Sequence, residues 1–337
     1  RKLREVLKTL PAFAKDYFRA IEPTTSTKTR ISYAYDIRIF FQFLISQNPS
    51  LAKIGIPNLN VSVLNQLKPI DIEEYMEYLK LYDSPNDQTT ITNGERGLKR
   101  KISSLRSFYT YYYKRQAIET NPVQLVDMPK IHDKAIIRLD AGETAALLDY
   151  IEHCGDQLTG QRKAYYEKTK LRDLAIVTLL LGTGIRVSEC VGLDVEDIDF
   201  RNNGIRLIRK GGSEMVVYFG PEVEKALKDY LESRKAISPL EGHEHALFYS
   251  TQRKRIGVQA VENLVKKYAR AITTTKKITP HKLRSTYGTT LYQETGDIYL
   301  VADVLGHKDV NTTKKHYAAM DDARRRKAAT AIRLRED

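Results

Sequence analysis

Residues 205–219 read Ile205-Arg-Leu-Ile-Arg-Lys-Gly-Gly-Ser-Glu-Met-Val-Val-Tyr-Phe219, two short β-rich runs on either side of a Lys210-Gly211-Gly212-Ser213 turn. That composition predicts a β-hairpin. It is the first convincing strand signal in the chain, and most of what surrounds it has helical spacing. Ala246-Leu-Phe-Tyr249 is one further strand candidate. Helices are predicted over about 221–234, 257–272, 280–293 and 297–305, with others opening at Asp140 and running from Leu171 through Leu181. The fold class is mainly α, with a C-terminal α+β part built around a small antiparallel sheet.

The first half reads as helices joined by polar loops. Thr24-Thr25-Ser26-Thr27 offers N-caps for a helix in which Tyr33, Ile37, Phe40, Phe41 and Leu44 share a face. A second helix opens at Pro69 or Asp71, runs through Ile72, Tyr75, Met76 and Leu79, and ends before the Asp83-Ser84-Pro85-Asn86-Asp87 loop. A third, from Asn93 to Arg115, mixes the core positions Leu98, Ile102, Leu105, Phe108, Tyr109 and Tyr112 with a dense set of cations. After Asn121-Pro122, the stretch Val126–Lys134 has Pro, mixed charge and no periodicity, as a linker does. The expected organisation is a helical domain over 1–127, a linker over 128–137 and a second domain over 138–337.

Composition narrows the function classes. The chain has 337 residues, enough for two domains, and 55 Lys+Arg against 42 Asp+Glu leave a net +13 that suits a polyanionic partner. With 42% hydrophobic and 29% charged residues it can bury real cores. The apolar run Leu174–Leu181 falls well short of the ~20 residues that span a bilayer. Two cysteines, Cys154 and Cys190, exclude a disulfide scaffold and a Cys-rich zinc site, and fit a reducing, cytoplasmic setting. The sequence opens at Arg1 with neither a Met nor a leader-like segment, so a native start beyond it is allowed for.

Three stretches of the second half share a chemical theme: Thr183-Gly-Ile-Arg186-Val-Ser-Glu189, Pro280-His281-Lys-Leu-Arg284-Ser-Thr286, and Leu305-Gly-His307 continuing to His316-Tyr317. Each offers a phosphate ligand or a proton carrier. His281 and Arg284 lie three apart, which puts both on one helix face. They follow Thr279-Pro280, a helix start, where the dipole favours an anion.

The ordered set Arg186, Lys210, His281-x-x-Arg284, His307, Tyr317 resembles the signature of the tyrosine recombinases, of the Xer and phage integrase type. Ile102–Tyr109 with Asn121-Pro122, Thr183–Glu189 and Leu305–Tyr317 carry the likeness, which covers most of the chain. It implies a SAM-like helical domain that binds the core recombination site, and a catalytic domain that cuts and rejoins DNA without metal or cofactor. Tyr317 would be the nucleophile, leaving a 3′-phosphotyrosyl link. Arg186 and Arg284 would bind the charged phosphorane, and Lys210 would protonate the 5′-oxygen. His281 would handle the tyrosine proton or contact phosphate, His307 would donate to a non-bridging oxygen, and Glu189 would orient the basic residues.

The family pattern commonly has His where this chain has Ser285, and often Gly-Lys-Gly-x-Lys where it has Arg209-Lys-Gly-Gly-Ser. The resemblance further implies four protomers on two DNA sites, passing through a Holliday junction, with the tail Ala328–Leu334 docking into a neighbour. Whether the free protein is a monomer stays open. Duplex contacts are expected from Lys28 and Arg30 near the first helix and from Lys99, Arg100, Lys101 and Arg106 on the basic one. Tyr109, Tyr111, Tyr112 and Tyr113 read as packing, because a duplex offers no splayed bases to stack. Cys190 reads as a small buried hydrophobe. The rival readings are a type IB topoisomerase-like relaxer and a DNA binder that kept the fold and lost activity. Integration, excision and chromosome dimer resolution all remain open as the biological task, carried out in the cytoplasm at the nucleoid.

Overall fold

The computed structural model describes residues 1–83, 89–132, 136–209, 212–307 and 310. The chain forms two compact units, residues 1–134 and 135–337.

Unit 1 contains α1 (Lys2–Leu7), α2 (Ala14–Ala20), α3 (Thr27–Gln47), α4 (Pro49–Ile54), α5 (Pro69–Lys80), β1 (Leu81–Asp83), β2 (Thr90–Thr92), α6 (Glu95–Lys114) and α7 (Pro122–Leu125). The α3 helix begins where the Ser26 hydroxyl accepts the Thr29 N–H at 3.2 Å, which satisfies one of the orphan donors of the first turn. Its stripe Ile37, Phe40, Phe41, Leu44 is buried, as are Ile102, Leu105, Phe108 and Tyr109 of α6, which packs against it. Aromatic edges lock the contact: Phe41 meets Phe108 at 6.1 Å and Phe108 meets Tyr112 at 5.0 Å, both T-shaped. Such pairs add about 0.5–1.5 kcal/mol each beyond their burial. Tyr109 and Tyr112 are core residues, and the Tyr112 hydroxyl donates to the Phe13 carbonyl at 2.8 Å.

Beside its helices this unit carries one short hairpin that the sequence reading did not mark out. β1 and β2 pair antiparallel with Tyr82 opposite Ile91, and the Tyr82 ring stacks on Tyr78 at 5.2 Å. Strands of three residues are too short for a period of two to register.

Unit 2 contains α8 (Ala141–His153), α9 (Gly160–Thr183), α10 (Val187–Gly192), β3 (Ile198–Asp199), β4 (Gly204–Ile208), β5 (Glu214–Tyr218), α11 (Pro221–Arg234), α12 (Val258–Ile272), α13 (Pro280–Thr295) and α14 (Ile298–Leu305). A capping box opens α8: Asp140 Oδ1 accepts the Glu143 N–H, and Glu143 Oε2 accepts the Asp140 N–H, both at 2.8 Å. The run Ala175–Leu180 of α9 is buried throughout, because α8, α11 and α13 pack around it, so the helix shows little one-sided patterning. It begins at Gly160, well before the Leu171 expected, since its first half is charged.

The sheet has the order β3-β4-β5, all antiparallel, with Ile205 opposite Val217 and Ile208 opposite Glu214. Ile205, Leu207 and Val217 point into the core while Arg206, Val216 and Tyr218 face outward. The hairpin is present as expected, with β3 as an additional strand. Ala246–Tyr249 is buried but forms only isolated bridges. Arginines take two of its carbonyls: Arg234 donates to Ala246 O at 2.8 Å and Arg172 to Tyr249 O at 3.0 Å, while Phe248 O accepts the Ile256 N–H at 2.9 Å. Among the described residues, no helix is long and apolar enough to cross a membrane.

Candidate active site

The site of unit 2 is organised by the C-terminal end of α14. The helix stops at Gly306, which has φ +61°, with the Gly306 N–H donating to Asp303 O at 2.7 Å and the His307 N–H to Ala302 O at 2.9 Å. This paired closure is the Schellman arrangement. It leaves the carbonyls of Val304, Leu305 and Gly306 facing outward from the negative end of the helix dipole. Three guanidinium groups take them in order. Arg209 Nη2 donates to Val304 O at 2.8 Å, Arg284 Nη2 donates to Leu305 O, and Arg186 Nη2 donates to Gly306 O at 3.3 Å.

The three arginines come from different elements. Arg284 lies in the second turn of α13, is only 5% exposed, and also donates through Nη1 to the Gly184 carbonyl. Gly184 ends α9 with φ +62°, and a Cβ there would lie 2.3 Å from the Tyr287 ring, so both conformation and space call for glycine. Arg186 follows two residues later at the start of α10. Its backbone N–H donates to Glu189 Oε2 and its Nη1 to Glu189 Oε1, each at 2.7 Å. Glu189 thus fixes both ends of Arg186, while 40% of the Arg186 side chain stays exposed. Arg209 ends β4. Burial and the neighbouring Arg186 charge push its pKa below the usual arginine value, and Glu189 opposes that shift.

Of the residues singled out from sequence, Arg186, Glu189, Arg284 and the backbone of the His307 turn are brought together. His281 sits in the first turn of α13, one turn before Arg284, and is exposed. Ser285, which departs from the family pattern, donates its hydroxyl to the His281 carbonyl at 3.0 Å. Lys210, Tyr317 and the tail from Ala328 lie outside the described residues. Cys190 is fully buried, and burial pushes its thiol up to about 12, so it is unsuited to nucleophilic work. Among the described residues, no group of three or more His, Cys, Asp or Glu side chains is arranged to hold a metal ion.

The basic residues of unit 1 divide differently from expectation. Lys28 is exposed and Lys99 half-buried. Arg30 pairs with Glu22 at 2.8 Å, and Arg106 donates to the carbonyls of Val123 and Val126 at 3.1 and 3.0 Å, which secures α7. Lys101 is a correction: it is 7% exposed, with its ammonium 3.8 Å from the buried Asp36 carboxylate, and so is an internal counter-ion. Arg100 holds the same carboxylate from the surface side. Burial raises the Asp36 pKa and lowers that of Lys101, and their mutual attraction works against both shifts. Asp36→Ala strands the Lys101 charge and is expected to destabilise the chain by about 3–5 kcal/mol. Lys99→Ala is expected to leave stability within about 0.5 kcal/mol. Urea unfolding of both variants checks this, and equal small losses would contradict the internal ion pair.

Sequence reasoning did not identify Arg209, whose partner is 95 residues away. Its position next to Lys210 was the only available hint.

The Phage integrase family model matches residues 138–324. The chain is 32% identical over 333 residues to tyrosine recombinase XerC of Caldanaerobacter subterraneus subsp. tengcongensis, spanning 96% of this chain and 86% of the relative. It is 30% identical to tyrosine recombinase XerS of Streptococcus equi subsp. zooepidemicus, with 95% of each chain covered. The fold is similar to that of a Tn1549 transposon integrase fragment in complex with transposon right end DNA (TM-score 0.65, 21% identity, 94% of this chain and 98% of that one). It is also similar to XerH site-specific recombinase bound to a palindromic difH substrate (TM-score 0.64, 19% identity, 90% and 78%). The chain belongs to the phage integrase family and is a Xer-like tyrosine recombinase, an enzyme that cleaves and rejoins DNA.

Proposed function

We propose that this recombinase exchanges strands between two specific duplex sites through a 3′-phosphotyrosyl intermediate formed on Tyr317. The convergence of Arg186 and Arg284 on successive carbonyls of the Leu305–His307 turn carries the reading. It gathers two permanently charged forks beside a histidine-bearing turn, and such a cluster suits the non-bridging oxygens of a phosphorane.

In the proposed step the Tyr317 oxygen bonds to phosphorus as the bond from phosphorus to O5′ breaks. The phenolic proton leaves toward His281, and the Lys210 ammonium delivers a proton to O5′. Arg186, Arg284 and His307 hold the charge that develops between these events, and Glu189 keeps Arg186 aimed. Rejoining is the reverse, with the 5′-hydroxyl of the partner strand attacking the phosphotyrosine. The phosphodiester bond energy is retained in the link, so the proposed reaction consumes no nucleotide.

Unit 1 would grip the core site, with Lys28 and Lys99 among its surface cations and Arg100 within reach of the surface. Four protomers on two sites would pass through a Holliday junction at the nucleoid, with the segment from Ala328 docking into the next protomer. The test is a supercoiled plasmid with two directly repeated sites. Wild type is expected to yield two circles. Deletion of Ala328–Asp337 should lower exchange while sparing single-site binding. Relaxation of supercoils without exchange would favour a type IB relaxer, and unaltered exchange after the deletion would remove the docking assignment.

A further inference from the structure

We propose that Arg209 is a positioning residue that clamps the base of the β4–β5 turn to the C-terminal end of α14, and so fixes the leaving-group acid relative to the phosphate-binding arginines. This rests on the assignment of Lys210, the next residue in sequence, as that acid. Two sets of bonds meet in Arg209. Its backbone closes the turn: the N–H donates to Ser213 O at 2.8 Å, and the carbonyl accepts the Gly212 N–H at 2.9 Å. Its side chain leaves the hairpin altogether and donates to Val304 O at 2.8 Å.

The seat for that side chain is built from glycine. A Cβ added at Gly306 would lie 1.3 Å from Arg209 Nη1 and 2.2 Å from Cζ, so the guanidinium lies directly over the Gly306 α-carbon. With φ +61°, Gly306 is also in the left-handed region that ends the helix. The same carbonyl row holds Arg284 and Arg186, so hairpin, α13 and α10 are all tied to one helix end. An arginine suits this task because its planar fork can lie over a small residue and donate along its edge to a carbonyl, whereas an ammonium is a compact point charge.

Releasing the clamp should leave the phosphate ligands in place while the turn moves out of register with O5′. The loss should therefore fall on proton delivery. The test uses the full chain on DNA carrying either a normal 5′-oxygen or a 5′-bridging phosphorothiolate at the scissile position, since the sulfur leaves without needing an acid. Arg209→Ala is expected to cut the normal DNA about 10- to 100-fold more slowly, less than a general acid is worth outright, and to cut the sulfur-bridged DNA at close to the wild-type rate. Arg209→Lys should recover only part of the loss. The ratio of the two rates is internal to each variant, so partial unfolding cancels from it.

Lys210→Ala serves as the reference. If sulfur rescues Lys210→Ala but not Arg209→Ala, the clamp is overturned and the acid assignment stands. If neither is rescued, both fall. An Arg209→Ala variant that cuts normal DNA at the wild-type rate also overturns the clamp.

Discussion

Arg284→Ala is expected to lower strand cleavage by about 10³-fold, the upper range for removing one preorganised donor from a charged transition state. The residue is almost fully buried and serves two carbonyls, Gly184 O at the end of α9 and Leu305 O at the end of α14. Truncation leaves both without that donor, at about 1–3 kcal/mol each, so the variant should also melt earlier. Arg284→Lys separates the two effects. An ammonium keeps the charge and supports part of the fold but cannot span both carbonyls as a fork does. Cleavage by Arg284→Lys should still fall by about 100-fold, while single-site DNA affinity, spread over many phosphates, changes only severalfold. Single-turnover cleavage together with gel-shift titration measures this, and wild-type cleavage by Arg284→Lys would remove the residue from the transition state.

Lys210→Ala is expected to reduce cleavage of normal DNA by about 10²–10⁴-fold, the usual worth of a general acid, with binding nearly intact. The departing 5′-alkoxide is a poor leaving group unless a proton arrives as the bond breaks. A lysine ammonium at the turn can supply that proton. A 5′-sulfur removes the need for the proton. Cleavage of phosphorothiolate DNA by Lys210→Ala should therefore approach the wild-type rate, and an equal deficit on both substrates would show that Lys210 acts some other way.

Much of the architecture was legible because it is periodic. The stripe of α3, the N-cap at Ser26, the helix opening at Asp140 and the hairpin at 204–218 all follow from local composition. What escaped is what local composition does not encode. β1 and β2 are too short to alternate, and the Ala246–Tyr249 segment forms only isolated bridges, with Arg234 and Arg172 taking the carbonyls of Ala246 and Tyr249. Lys101 reads in sequence as one of several cations expected against the duplex, yet its place is decided by Asp36, 65 positions earlier, buried within the apolar stripe of α3. That isolated carboxylate was the available sign of an internal pair.

The gathering of the candidate site residues was legible for a related reason. Arg186, Glu189, Arg284 and His307 sit in short ordered motifs that resemble the family's, and the fold gathers the two arginines at one helix end. Arg209 has no such motif, and its role emerges only when β4 and α14 are seen together.

The most direct test of the central claim is to incubate wild type and Tyr317→Phe with labelled DNA carrying a nicked core site, without added metal, and to separate the products under denaturing conditions. A protein–DNA adduct joined through the 3′-phosphate is expected with wild type and absent with Tyr317→Phe, although both bind the DNA. An adduct of equal yield from Tyr317→Phe, or none from wild type on DNA that it binds tightly, would contradict the account.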